Sequence, residues 1–353
     1  MTRLLEILIS LAIVAGLYLV VGLVLPSSRF ISESAETNRK LTIVFDTLNS
    51  FRRFKDWNPL VLRDPRMQLS LVGPAEGKGA RLEYTSEEKG LGKGSWEIVE
   101  SEPQKKIVID INNVERGENK QTQFLLKPTG RNNRNVEITQ TYSVEYGWNL
   151  LGRYAGLYVT RHVGDDMKMG LSRLVGVLAA VPNVDYAVKG SKMTTPKVVD
   201  RPAEELLYVS AGAVDRGNAQ IQASINSNAE WIKRVIEANG LEAVGPLRII
   251  TTDLGRETYT FDVAQVVRKK GGGDAGKVAL QGPVQYLQAP ASRAAVASYT
   301  GYMAELDNVR NALRAWAATH AYEVKDRAYE DYKSGVAGAF TENGEFEVYW
   351  PVK

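Results

Sequence analysis

The sequence predicts an α+β protein in three parts. A transmembrane helix (residues 1–27) precedes a curved antiparallel sheet closed by a long C-terminal helix (28–182). After a linker (183–203) comes a pseudo-twofold domain made of a duplicated β-α-β-β unit (204–353). Three observations carry this reading: an unbroken apolar block opens the chain, apolar residues then recur with period two in successive short segments, and the C-terminal part repeats itself.

The apolar block runs from Ile7 to Leu25, with Ser10 and Tyr18 its only polar side chains, and Pro26 closes it. At about 1.5 Å per helical residue it spans roughly the 30 Å hydrocarbon core of a bilayer. A cleaved signal peptide would end in a small-x-small pattern. The exit here is Val24-Leu25-Pro26-Ser27-Ser28-Arg29, which favours an uncleaved anchor over residues 4–25. A core helix seldom stays apolar on every face for so long. Arg3 before the block and Arg29, Arg39 and Lys40 after it do not separate the two sides by charge. The absence of cysteine fits export, and fits a cytoplasmic body as well. We expect a single-pass protein of the inner (cytoplasmic) membrane and favour the periplasmic side for its body.

Composition narrows the chemistry. Lys+Arg 44 against Asp+Glu 41 leaves +3, too balanced to imply nucleic acid. With no cysteine and only His162 and His320, a Cys/His zinc site is excluded, and so are the usual Ser-His-Asp and Cys-His constellations. No metal and no cofactor is expected.

The first domain begins with a strand near Phe30 to Ala35 and a helical pattern carrying Val44, Leu48 and Phe51 on one face. The turn Phe54-Lys55-Asp56-Trp57-Asn58-Pro59 and then Asp64-Pro65 break the chain. Alternating segments follow: Met67/Leu69/Leu71, Leu82/Tyr84, Trp96/Ile98, Ile107/Ile109/Ile111 and Phe124/Leu126. The clearest sets Val136, Ile138, Tyr142, Val144 and Tyr146 against Glu137, Thr139, Thr141, Ser143 and Glu145, a sheet with one dry face. Met167, Leu171, Leu174 and Leu178 then mark a long helix, with His162 expected near its start. A curved sheet under one long helix leaves a cavity, and Trp57, Trp96, Phe124, Tyr142 and Trp148 are candidates to line it.

The Phe54-x-x-Trp57-Asn58-Pro59 turn with Asp64-Pro65, the Gly92-x-Gly94-Ser95-Trp96-x-Ile98 strand start and the Glu102-Pro103 hairpin resemble the START-like, helix-grip superfamily (SRPBCC), nearest its polyketide cyclase/dehydrase-like branch. That superfamily holds carriers, sensors and enzymes alike, so the resemblance implies a fold and a cavity rather than an activity.

In the last domain Trp231 and Trp316 are 85 apart (316 − 231), as are Phe261 and Phe346 and also Val263 and Val348. Each half reads as a strand, an amphipathic helix (Ile221/Ile225/Ile232/Ile236, then Leu306/Val309/Leu313) and paired strands. Thr300-Gly301-Tyr302, then Tyr329-Glu330-Asp331-Tyr332 and the terminal Tyr349-Trp350-Pro351-Val352 resemble the gyrase-inhibitor-like, transcription-activator effector-binding domain. The resemblance implies a cleft for apolar, often cationic or aromatic, small molecules. It makes Glu330 the buried acid, with Tyr332, Tyr302 and Trp350 as walls. A carboxylate among aromatic rings favours a cation twice over, by charge and by the ring faces. The alternative for Glu330 is a solvated strand edge, paired with Lys333 or Arg327.

The function expected is membrane-anchored binding of hydrophobic or amphipathic small molecules, cationic ones included, for sensing, sequestration or transfer, without nucleic acid as partner. Two alternatives stay open. One is an enzyme acting on an apolar compound, hydrolase- or cyclase-like, with Glu330 as general base. The other is an interaction scaffold with collapsed cavities.

Overall fold

The computed structural model describes residues 2–353 and divides between Val181 and Pro182 into two units. The apolar block is a helix, α1 (Thr2–Val24), long and apolar enough to cross a membrane, with nearly every residue from Arg3 onward exposed.

Unit one continues through β1 (Ser28–Thr37) and the short helices α2 (Leu41–Leu48), α3 (Phe54–Trp57) and α4 (Leu60–Arg63). Six strands follow: β2 (Gln68–Val72), β3 (Arg81–Thr85), β4 (Lys93–Glu102), β5 (Lys106–Asn112), β6 (Glu118–Thr129) and β7 (Asn135–Glu145). All pair antiparallel in the order β1-β7-β6-β5-β4-β3-β2. The alternation in β7 buries Val136, Ile138, Tyr142 and Val144, as a half-wet sheet requires, and Gln140 is buried in the same row. The unit closes with α5 (Leu150–Ala179), which buries Met167, Leu171, Leu174 and Leu178.

Two expectations are corrected in α5. His162 lies mid-helix, because the helix starts at Leu150, where the Asn149 side chain accepts a hydrogen bond from the Gly152 N–H at 2.9 Å. Trp148 does not line the cavity between the sheet and α5 and is 83 % exposed. The first turns of α5 bury glycine and arginine and expose leucine and tyrosine, so the usual apolar stripe is missing there.

Unit two contains β8 (Lys197–Arg201), β9 (Glu204–Asp215), α6 (Asn218–Ala238), β10 (Leu241–Leu254) and β11 (Thr258–Lys269). Its second half is β12 (Gln285–Ala289), β13 (Ser292–Thr300), α7 (Leu306–Thr319), β14 (Tyr329–Tyr332), α8 (Gly335–Ala339) and β15 (Glu345–Val352). The eight antiparallel strands run β12-β9-β11-β10-β14-β15-β13-β8, an order that maps onto itself when the two halves are exchanged. The strand preceding each half pairs with the first strand of the other half. Lys197–Arg201, read from sequence as linker, is thus an edge strand: five half-exposed residues are too few to show a period.

The repeat is not uniform. Val263 pairs with Val209 in one half and Val348 with Ala297 in the other, so the last strands repeat at 85 (348 − 263) but the first at 88 (297 − 209). The starts of α6 and α7 share the spacing of 88 (306 − 218). Trp231 and Trp316 are therefore not equivalent. Trp231 lies against Gly282, whereas Trp316 stacks on His320 and Tyr322.

Candidate functional site

In unit one a cavity of about 100 Å³ lies between the sheet and α5. Its walls are Trp57 to Leu60 and Arg63, Trp96 on β4, Ile111 on β5, Asn113 and Glu115 beyond it, Thr122 on β6, Gln140 and Tyr142 on β7, and Val163, Asp166, Met167 and Gly170 on α5. The turn carrying Trp57 is fixed from several directions. The Asn58 side chain accepts from the Leu60 N–H at 2.9 Å, and Arg173 of α5 donates to the Asp56 carbonyl at 3.0 Å. Gly170 lets α5 close on it: a Cβ there would meet Pro59 Cδ at 3.1 Å. Phe54 packs edge-on to both Trp57 and Trp96, with ring centres 5.7 and 5.1 Å away.

The polar chemistry of these walls is incomplete. Gln140 donates its amide to Thr122 Oγ1 at 3.2 Å, and that hydroxyl donates to the Thr141 carbonyl at 2.9 Å. Gln140 Oε1 and the indole nitrogens of Trp57 and Trp96 are buried without a hydrogen-bond partner. Burial holds the Tyr142 hydroxyl protonated well above its ordinary range. Half-exposed Arg63 pairs with Asp166, and its guanidinium lies 3.8 Å from Glu115. Of the residues expected here, Trp57, Trp96 and Tyr142 line the cavity. Phe124 does not: it is fully buried behind Trp57, in edge contact at 5.9 Å.

In unit two, alternation along β14 sends Glu330 and Tyr332 to one face and Tyr329 and Asp331 to the other, and each acid meets its own arginine. Asp331 accepts from Arg248 Nε at 2.8 Å, and Arg248 also reaches Glu204 at 2.7 Å. Glu330 is fully buried, and its Oε1 accepts from Nε of Arg310 on α7. Arg310 also donates to the Tyr259 hydroxyl at 3.3 Å, which shares a hydrogen bond with Thr251 at 2.8 Å. Burial alone would weaken the charge on Arg310, but the facing carboxylate outweighs it and holds the guanidinium above its usual range. Glu330 Oε2 and the Tyr332 hydroxyl are buried without partners, and burial pushes the Tyr332 pKa well up.

Glu330 is buried, as the resemblance implies, but the cation that faces it is the guanidinium of Arg310 rather than a ligand. The solvated-edge alternative also fails, since Lys333 pairs with Glu347 and Arg327 with Asp262. Tyr332 is core, Tyr302 is about half exposed, and Trp350 donates to the Asp326 carbonyl at 2.9 Å. A small cavity of about 50 Å³ beside α7 is lined by Tyr259, Asp307 and Arg310, and by none of Glu330, Tyr332, Tyr302 or Trp350. Sequence reasoning missed Gln140 and Arg310, although both left a signal. Gln140 is the polar position within the dry row of β7, and Arg310 stands on the apolar stripe of Leu306 and Leu313.

Comparison with known proteins agrees with this division. The family described as polyketide cyclase / dehydrase and lipid transport matches residues 30–179, and the GyrI-like small molecule binding domain matches residues 194–353. Among solved structures, the chain is similar to the EcmrR C-terminal domain (17% identity, 45% of this chain and 96% of that one, TM-score 0.35). It is also similar to protein CV1439 from Chromobacterium violaceum (11%, 43% and 98%, TM-score 0.32). Truncated norcoclaurine synthase from Thalictrum flavum is a further likeness (11%, 43% and 94%, TM-score 0.34). Likenesses of this strength carry no argument about function. No curated protein matches the sequence. Two family models thus match the chain in succession, that of polyketide cyclase / dehydrase and lipid transport over the first unit and that of the GyrI-like small molecule binding domain over the second.

Proposed function

We propose that this protein is a membrane-anchored carrier or sensor that holds a compact, mostly apolar small molecule in the cavity of its first domain. One observation carries the reading: three residues lining that cavity bear buried polar atoms without partners, two indole N–H donors and the Gln140 acceptor. Each such group costs about 1–3 kcal/mol unsatisfied. A ligand whose polar groups reach these atoms recovers that cost, and its apolar body meets Ile111, Val163 and Met167. The volume suits a ring or a short chain, so a drug-sized ligand would project past Arg63 and Asp166.

The second domain enters the proposal differently. A cationic ligand at Glu330 must first displace Arg310, which costs the burial of an unpaired charge. As a general base the same carboxylate has no route to a substrate, because it is fully enclosed and paired. We assign the anchor to α1 and the body to the periplasmic side, on the apolar span and the lack of cysteine. Protease protection in spheroplasts tests that side.

The test of binding is native mass spectrometry of the full chain, purified in mild detergent from its own host. Wild type is compared with Trp57→Phe/Trp96→Phe and with Glu330→Gln. A co-purifying mass lost from the first variant and kept in the second supports the proposal. The reverse pattern moves the site to the second domain, and empty protein in all three counts against a carrier.

A further inference from the structure

The first turns of α5 are amphipathic the wrong way round for folding. Inward they present Gly152, Gly156 and Arg153, and a Cβ on either glycine would come within 2.8 Å of the Tyr146 ring. Outward they present Leu151 at 56 %, Leu157 at 51 % and Tyr158 at 63 % exposure, next to the exposed Trp148. A helix in water does the opposite. From Tyr146 to His162 there is no acidic residue, and the charged side chains are Arg153 and Arg161.

This face is continuous with α1. Tyr154 stacks on Tyr18 with ring centres 4.5 Å apart, and its hydroxyl donates to the Tyr18 carbonyl at 2.8 Å. Arg153 Nη1 donates to the carbonyls of Gly22, Leu23 and Leu25 at 3.3, 3.0 and 3.2 Å. Those carbonyls belong to the end of α1, where the helix itself supplies no donor. Within a bilayer nothing else would supply one. Tyr18 precedes Leu25 by seven residues, about 10 Å of helix. A span that brings Leu25 to the edge of the hydrocarbon core therefore carries Tyr154 to the depth of Tyr18.

We propose that the outward face of the first turns of α5, formed by Trp148, Leu151, Tyr154 and Tyr158, is embedded in the bilayer that α1 crosses, from its interfacial layer into the adjoining hydrocarbon. Its occupant is lipid: acyl chains against the leucine, headgroups against the aromatic rims and Arg161. The inference rests on the anchoring by α1 proposed above. It adds that the first domain lies on the membrane surface, with the cavity walls Val163 and Asp166 only one to two helical turns further along α5.

Because the chain has no cysteine, single nitroxide labels report cleanly. Full-length Leu151→Cys and Tyr158→Cys are labelled and reconstituted in vesicles of equal parts phosphatidylcholine and phosphatidylglycerol. Ile13→Cys in α1 and Lys127→Cys serve as references. Lys127 pairs with Glu137 at the end of the sheet remote from α1. Oxygen collisions are expected to exceed those of a water-soluble nickel chelate at residues 13, 151 and 158, with the ratio inverted at 127. Lipid-like values at 13 with aqueous values at 151 and 158 would overturn the proposal and leave the anchor standing. Aqueous values at 13 would overturn both. Shielding from both reagents at 151 and 158 would mean that a protein surface, such as a second copy, covers the face, and the proposal would again fall.

Discussion

Arg310 on α7 and Glu330 on β14 form an ion pair in which the carboxylate is fully buried and the guanidinium nearly so. The domain therefore carries its own cation at the buried acid where a ligand was expected. Two buried charges that satisfy each other are tolerated, but either one alone is not.

Removing one partner should be severe. Arg310→Met is expected to cost about 3–5 kcal/mol, because it leaves Glu330 charged and enclosed. Glu330→Gln should also destabilise, and the double variant should recover part of the loss. Hydrogen exchange of amides in residues 204–353 of the full chain reads this out. A single variant as protected as wild type would show that the pair is not closed in solution.

Alkaline pH should expose the same network. Burial, opposed by Arg310 and aided by Glu330, raises the Tyr259 hydroxyl from 10.0 to about 12. A pKa raised on folding contributes stability that is whole below pH 10.0 and is lost as pH climbs through about 12. The loss is on the order of 2–3 kcal/mol. Tyr259→Phe should flatten the fall in urea midpoint across that window, whatever its effect at neutral pH. Equal slopes for the two proteins would remove Tyr259 from the account.

In the first domain, stability and binding should separate. Gln140→Leu discards a buried acceptor that has no partner, while the Thr122 hydroxyl keeps its bond to the Thr141 carbonyl. The unfolding free energy should stay level or rise by about 1 kcal/mol, and ligand occupancy by native mass spectrometry should drop. A variant that binds as fully as wild type would deny Gln140 its role.

Gly156 tests the packing of α5. An added methyl would sit 2.8 Å from Tyr146 and 3.2 Å from the Arg29 side chain. Gly156→Ala should gain helix propensity yet lose about 1–3 kcal/mol overall through overpacking. Net stabilisation in a thermal melt would show that Tyr146 moves aside freely.

Much of the architecture is legible in local pattern, and the exceptions are instructive. The alternation of β7 predicts its dry face without any knowledge of β1 or β6. Lys197–Arg201 and the start of α5 escape for opposite reasons. The first is too short to display a period, and the second shows an inverted one because its apolar side chains face away from the core. At the sites, the aromatic residues Trp57, Trp96 and Tyr142 stand out by type. Gln140 and Arg310 are polar residues on apolar rows, anomalies that point to a buried partner without naming it.

By itself, then, the sequence determines the apolar span, the order of elements, the duplication and the resemblance to two families, since each depends on neighbours a few residues apart or on a regular repeat. Tertiary structure alone decides which charges meet. Whether Glu330 faces a ligand or Arg310, and whether Gln140 lies beside Trp57, depends on how α7 and α5 are laid across their sheets. The energy of those choices comes from desolvation and close contact, which no spacing along the chain encodes.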